Sequence, residues 1–447
     1  MQRYFIIALL LIMTGALYPE TATAQFSQNT PPIWPLPELL KIIKEGLSNN
    51  KEIQSLESQV TRFKEEIPFA GSLGDPRLGI GLLNLPVDSF RFDKEPMTQK
   101  QLFIAQKIPW FGKLNLKTQL AVLKVGRQEA ILMAKQLELA RQIATAYFEL
   151  GFIAGSREIN ERLAGMVKQI LRVTEIGYAA GRGLQQDVLL AQVEFSKLLD
   201  EKIMLKKKYR TLEDRINELL NRESFTPVPI PGKMIYPDVR LSVKKLQARA
   251  LKQNPWIRVR ASDVKQACLK IELALKDYWP DMDFKMAYGQ RDEDRTGRDL
   301  DDFVSASVAI NIPLWKESRQ DKKLAARRAG HQAAMKFYQN LIKSLPYKVD
   351  ALAAEVSYTQ NSYRLMADAL IVQAEQLAQS SLAAYKVGKV EFATMIRARV
   401  QLLRLELQAE KYLFNIYQNL AELEEIIGGS LLPQDISIAS LPDQEDK

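Results

Sequence analysis

From Val304 to Ile312 the even-numbered residues are Val304, Ala306, Val308, Ile310 and Ile312, and the odd-numbered ones are Ser305, Ser307, Ala309 and Asn311. Side chains alternate across a strand, so this segment reads as a strand with one apolar face and one mostly polar face. The same parity holds 204 residues earlier: Leu102, Ile104 and Ile108 are even, Gln101 and Lys107 are odd, and Phe103 and Gln106 are exceptions. Two more strands agree. Leu78, Ile80 and Leu82, like Met282, Phe284, Met286 and Tyr288, are even; Arg77, Asp281, Asp283 and Lys285 are odd. The expected strands cover about 76–86, 98–108, 281–290 and 302–312, the roughly 9–11 residues that a tilted strand needs to cross a bilayer. A half-buried sheet in water shows the same alternation. Four strands cannot close a barrel, and an open sheet edge cannot face lipid. If these strands span a membrane, several chains share one barrel.

The strands belong to a duplicated plan. At an offset of 204, Asn50-Lys51-Glu52-Ile53 falls on Asn254-Pro255-Trp256-Ile257, and Ile108-Pro109 falls on Ile312-Pro313. Further on the offset is 207: Tyr178 and Gly181 fall on Tyr385 and Gly388, and Ala191 and Val193 on Ala398 and Val400. A three-residue difference in helix length is the expected cause. Each half reads as helix, strand, strand, long helix, turn, long helix. The first repeat is placed at 25–225 and the second at 239–430, with long helices over about 113–221 and 316–427. Between them Thr226 to Asp238, "TPVPIPGKMIYPD", holds four prolines and reads as an irregular linker. Residues 431–447 read as a tail.

Asn115 to Ile176 contains no proline, and as one helix would run roughly 90 Å. Leu116, Leu120, Leu123, Ala130, Ala134, Leu137, Ala144 and Phe148 give it a coiled-coil-like stripe, interrupted by Arg127 and Arg141. In the second copy Pro346 is expected to kink the helix or remove one hydrogen bond. Pro109 and Pro313 stand where a strand ends and a helix begins, a position proline tolerates. Trp110, Phe111 and Trp315 beside them suit a membrane–water boundary.

At the N-terminus Arg3, the apolar run Phe5 to Met13 and Ala22-Thr23-Ala24 form a secretory signal peptide, residues 1–24. That apolar run is too short for a spanning helix, and no later stretch reaches the ~18 apolar residues one needs. The net charge of +9 is spread over 447 residues rather than clustered, which disfavours a nucleic-acid binder.

Chemistry-bearing constellations are sparse. His331 is the single histidine and sits within a helix; Cys268 is the single cysteine, so it has no disulfide partner in its own chain. No metal-ligand spacing, cofactor motif or Gly-x-Ser-x-Gly is found, so neither catalysis nor a cofactor is expected. Gly79-Ile80-Gly81 is not followed by a helix, and both glycines fall on the odd strand face, which favours close packing over a phosphate loop. Gly181, Gly183 and Gly388 are placed to let antiparallel helices reverse tightly.

Together these features resemble the outer-membrane efflux protein family typified by TolC. The resemblance rests on "GDPRLGIGLLNLP" (Gly74 to Pro86), "QKIPWFGK" (Gln106 to Lys113), "NIPLW" (Asn311 to Trp315), "YAAGRGLQQDVLLAQ" (Tyr178 to Gln192) and "YKVGKVEFATMIRARV" (Tyr385 to Val400). The first two phrases look most like the branch serving heavy-metal export. The resemblance implies a mainly α protein with a transmembrane β-barrel portion. Three chains would form a 12-stranded barrel in the bacterial outer membrane and a long α-helical barrel in the periplasm. It implies a passive, gated exit duct working with a periplasmic adaptor and an inner-membrane pump of the resistance-nodulation-division type. The turns at Gly181, Arg182 and Gly183 and at Gly388 and Lys389 would be the periplasmic tips that meet the adaptor. Tyr385 and Asp187 would be a gate pair joined by a hydrogen bond. Where some members carry two acidic residues after the second tip glycine, this chain has Thr394 and Arg397; Glu391 is the nearest acid, and Arg397 would make the entrance cationic or pair with Glu391.

Two other readings compete. A periplasmic coiled-coil structural or adaptor protein without a barrel fits the helices but not the strand parity. An exported hydrolase lacks any nucleophile–base set.

Overall fold

The computed structural model describes residues 37–232, 234–431 and 436–438. The expected signal peptide, the start of the first repeat and most of the expected tail lie outside the described residues. The chain runs α1 (Pro37–Asn49), α2 (Lys51–Gly71), β1 (Arg77–Leu83), β2 (Gln99–Ile108), α3 (Lys113–Ala179) and α4 (Gln185–Leu220). The second half follows with β3 (Val239–Leu241), α5 (Val243–Gln253), α6 (Pro255–Lys276), β4 (Met282–Gln290), β5 (Phe303–Ile310), α7 (Gln320–Leu365), α8 (Ile371–Lys386) and α9 (Phe392–Ile427). A last strand, β6 (Ile436–Ile438), pairs antiparallel with β3. Among the described residues no helix is long and apolar enough to cross a membrane.

Two asparagines show how local chemistry repeats. Asn50 caps α2 by accepting from the backbone N–H of Glu52 and Ile53, and its amide donates to the carbonyl of Leu219. Asn254 caps α6 from the N–H of Trp256, and its amide donates to the carbonyl of Ile426. A cap side chain that also reaches a distant carbonyl satisfies orphan groups at two helix ends at once. Each asparagine thereby ties a repeat's short helix to the end of its last long one.

The helices differ from expectation in two ways. α3 is 67 residues long, and Gln320 to Lys386 spans the same length. The three extra residues therefore lie not in the helices but between Pro313 and Gln320, where a turn runs through Leu314, Trp315 and Lys316. There Arg319 N–H bonds to the Trp315 carbonyl and Asp321 N–H to the Lys316 carbonyl. Three residues inserted into a packed helix would rotate its apolar stripe off the seam, whereas a turn absorbs them. Secondly, the second long helix departs from α geometry not at Pro346, which α7 accommodates without one hydrogen bond, but further on at a π-turn, Met366–Leu370.

β1, β2, β4 and β5 form one antiparallel sheet in that order. Its register sets even residues against even ones: Ile80 against Leu102, Ile104 against Met286, and Phe284 against Val308. One apolar face is thus continuous and bare, with Ile80 84% and Val304 71% exposed. Polar residues on that face lie toward its ends: Gln106 donates to the carbonyl of Gly74 near the helical end, and Lys100 stands opposite Gln290 at the other.

The main core joins α1, α3, α4, α5, α7 and α9 around Ile143, Tyr147, Phe148, Ile216 and Ile416. Phe148 and Tyr417 stack at 4.7 Å. The Pro-rich segment is a packed belt. Asn217 holds the Thr226 carbonyl, Tyr417 the Ile235 carbonyl and Gln360 the Pro237 carbonyl, while Tyr236 stacks on Tyr363.

Candidate functional site

Two regions concentrate unusual chemistry: the helical tips and the strand–helix junction. At the first tip Gly181 has φ +69° and the N–H of Arg182 bonds to the carbonyl of Gly177. At the second, Gly388 has the same φ and the N–H of Lys389 bonds to the carbonyl of Ala384. Both are left-handed helix caps with a six-to-one bond, a conformation glycine adopts without strain. The following helices start alike, with Asp187 N–H on the Leu184 carbonyl and Thr394 N–H on the Glu391 carbonyl.

Behind the turns the two hairpins share a small core. Ala191 of α4 and Phe392, Met395 and Ile396 of α9 are buried together, with Ile170, Leu171, Leu382 and Tyr385 packed around them. Tyr385 meets Phe392 edge-on at 5.7 Å. Its hydroxyl lies in the field of Asp187, but among the described residues no hydrogen bond joins the two. Burial, then the Asp187 charge, pushes the Tyr385 phenol up. Burial, then the Glu391 charge, pushes Asp187 up as well. Tyr385 and Asp187, expected as a gate pair, are thus near one another without a bond, and the Glu391 charge reaches Asp187 as well. The pairing of Arg397 with Glu391 is not formed either: Arg397 donates to the Ala393 carbonyl of its own helix. Phe392, Met395 and Ile396 are tip residues whose helical spacing is the only signal of their role in the sequence.

The junction is asymmetric. Pro109 ends β2, and Trp110 then stacks on Trp279 at 5.0 Å, with ring planes 8° apart. The N–H of Trp110 and the Nζ of Lys113 both donate to one oxygen of Asp281, each at 2.9 Å. Lys113, only 8% exposed at its side chain, also pairs with Asp277, which takes a second ammonium from Lys323. Asp281, Asp277 and Trp279 come from the second repeat, so this is a bolt between repeats. Beyond Pro313, Leu314 and Trp315 are instead exposed.

Burial pushes Lys113 down, but its bonds to Asp281 and Asp277 leave it above the usual lysine value. Burial pushes Asp277 and Asp281 up, but bonds from Lys323 and Lys113 hold the Asp277 carboxyl, and bonds from Lys113 and the Trp110 N–H the Asp281 carboxyl, below the usual carboxylate value. Lowered carboxyls stabilise above their unfolded values and lose that contribution as pH falls through the folded ones; the raised lysine loses its share only as pH climbs past 10.5. Asp281→Asn should therefore cost about 1–3 kcal/mol at neutral pH, because Lys113 keeps Asp277. Thermal unfolding should show the gap to wild type closing as pH drops below 3.8. A gap independent of pH would mean that the bolt is not electrostatic.

Among the described residues no group of His, Cys, Asp and Glu is arranged to hold a metal ion.

A family described as outer membrane efflux protein matches residues 42–222 and 246–429. No curated protein matches the chain in sequence. Among solved structures the fold is similar to that of CusC, in a study of folding and transmembrane channel formation (15% identity, 91% of this chain and 96% of that one, TM-score 0.76). It is also similar to the outer membrane protein VceC of Vibrio cholerae (16% identity, 88% and 96%, TM-score 0.73). A third likeness is to the open state of the Neisseria gonorrhoeae MtrE outer membrane channel (15% identity, 94% and 98%, TM-score 0.72).

Proposed function

Because the chain belongs to the outer membrane efflux protein family, we propose that it is the outer-membrane exit duct of a tripartite export machine, built from three copies. The family is one of outer-membrane ducts rather than enzymes, and the protein is an outer-membrane protein with a large helical periplasmic part.

The observation that carries the reading is the four-stranded sheet. Its even face is apolar and bare, and its outer strands β1 and β5 have no further partner among the described residues. A bare apolar face suits lipid, and lipid forbids an open edge. Pairing β5 of one copy with β1 of the next satisfies both edges, and three copies give 12 strands. That arrangement would also cover Leu314 and Trp315, leaving each repeat's junction packed against its neighbour. The exposed tips at Gly181, Arg182, Gly183, Gly388 and Lys389 are the surface offered to a periplasmic adaptor, with energy supplied by an inner-membrane pump of the resistance-nodulation-division type. Tyr385, Asp187 and Glu391, with Thr394 and Arg397 further along α9, line the region where the duct would close.

A barrel-free periplasmic coiled coil would leave the apolar sheet face, with Ile80 and Val304 exposed, in water, the kind of contiguous patch that marks a membrane or protein contact. Fractionation tests the reading. Heat-modifiable trimers in the outer membrane are expected; a soluble periplasmic monomer would overturn it.

A further inference from the structure

The odd face of the sheet, which lines the barrel interior in the reading above, has a definite charge pattern. Its charged residues within the strands are Arg77, Lys107, Asp283 and Lys285, so three cations face one anion. The register sets Lys107 opposite Asp283, and those two balance. The next row across the sheet is Arg77, Ala105, Lys285 and Ser307, each opposite its neighbour. Both remaining cations therefore lie in one transverse row, and the ion pairs among the described residues include neither.

Lys285 is held in position. Its Nζ sits 4.1 Å from the centroid of the Phe103 ring, a cation–π contact that positions the ammonium. Phe103 is the large odd-face residue that broke the sequence pattern, and the sheet makes room for it. A Cβ at Gly79 would lie 2.4 Å from the ring, and on the other side Phe103 faces Ala287, which is only 6% exposed. A glycine and an alanine on the flanking strands thus cradle an aromatic platform beneath a lysine.

We propose that the Arg77–Lys285 row is the charge filter of the duct, drawing anionic solutes through the barrel and holding back bare cations. The proposal rests on the duct reading. In a three-copy barrel the row becomes a closed cationic girdle, and a cleft lined by one sign of charge concentrates the opposite ion. The substrate class it fits is small molecules bearing carboxylate or phosphate groups, rather than the free metal ions that the sequence resemblance brings to mind. The loops at the far end of the strands are acidic: residues 87–97 carry two cations and three anions, and 291–302 carry three and six. That acidic mouth raises the barrier to anions leaving and returning alike, so it sets no direction of its own.

Ser307 faces Lys285 directly and serves as a reporter. In full-length protein carrying Cys268→Ser, to remove the exposed native thiol, Ser307→Cys would be modified by an anionic and by a cationic thiosulfonate, relative to their rates with a free thiol. The anionic reagent should be favoured roughly tenfold at low salt, shrinking at high salt. Lys285→Glu should invert the preference, and Lys285→Arg should keep it; the acidic mouth is common to all and cancels. Heat-modifiable assembly of each variant checks that the barrel forms. An anionic-to-cationic rate ratio that Lys285→Glu does not lower would overturn the filter and leave the duct reading standing. Failure of both reagents to reach Ser307→Cys in the assembled protein would overturn the duct reading and the filter together.

Discussion

Val308→Arg should abolish most stable assembly in the outer membrane, while Ser307→Arg, one residue away, should leave it largely intact. Val308 lies on the even face of β5, opposite Phe284, and is more than half exposed in a single chain. An arginine there would face hydrocarbon, at a cost that reaches about 2–4 kcal/mol at the midplane and falls toward the interface, incurred by each copy in the barrel. Ser307 lies on the odd face, where an arginine finds water. The fraction of heat-modifiable trimer in the outer membrane reads the difference. Equal loss from both substitutions would mean that the sheet has no lipid face.

Phe392→Ala should have the second large effect, at the opposite end of the molecule. Phe392 is 2% exposed and holds the core shared by the two hairpin tips. Truncating a buried phenylalanine costs about 3–5 kcal/mol. The tip is small and distant from the main core, so the cost falls on local closure rather than on global folding. Ion conductance of the purified protein in planar bilayers should rise, with trimer yield unchanged. Tyr385→Phe should do much less, since the ring contact with Phe392 survives and no hydrogen bond to Asp187 is lost. A larger rise from Tyr385→Phe than from Phe392→Ala would return the gate to the hydroxyl.

The repeats and the strand faces were readable in the sequence because both are periodic. Parity survives even where ends are uncertain: Asp281 shares the odd phase of β4, yet stands just outside the strand and bolts Trp110 and Lys113. What could not be read was pairing across the repeats. Trp279 looks like any aromatic near a helix end, and only β2–β4 pairing brings it over Trp110. The offset change from 204 to 207 was visible, but its place was not, because a shift in numbering does not say which segment absorbed it. The tip core failed for a similar reason. Phe392, Met395 and Ile396 have helical spacing, but that spacing does not name Ala191 on another hairpin as their partner.

The π-turn at Met366–Leu370 makes the two hairpins different levers. α3 is an unbroken rod of roughly 100 Å, so a sideways load on the first tip is carried undiminished to the bolt at Lys113 and Asp281. The second rod has a joint 16 residues above its end, about 24 Å, where the regular ladder of axial bonds is interrupted. A load on the second tip is spent in flexing that joint. The two arms thus differ in where they can bend, and a pull that spreads the tips is expected to bend the second at its π-turn before it loads the sheet.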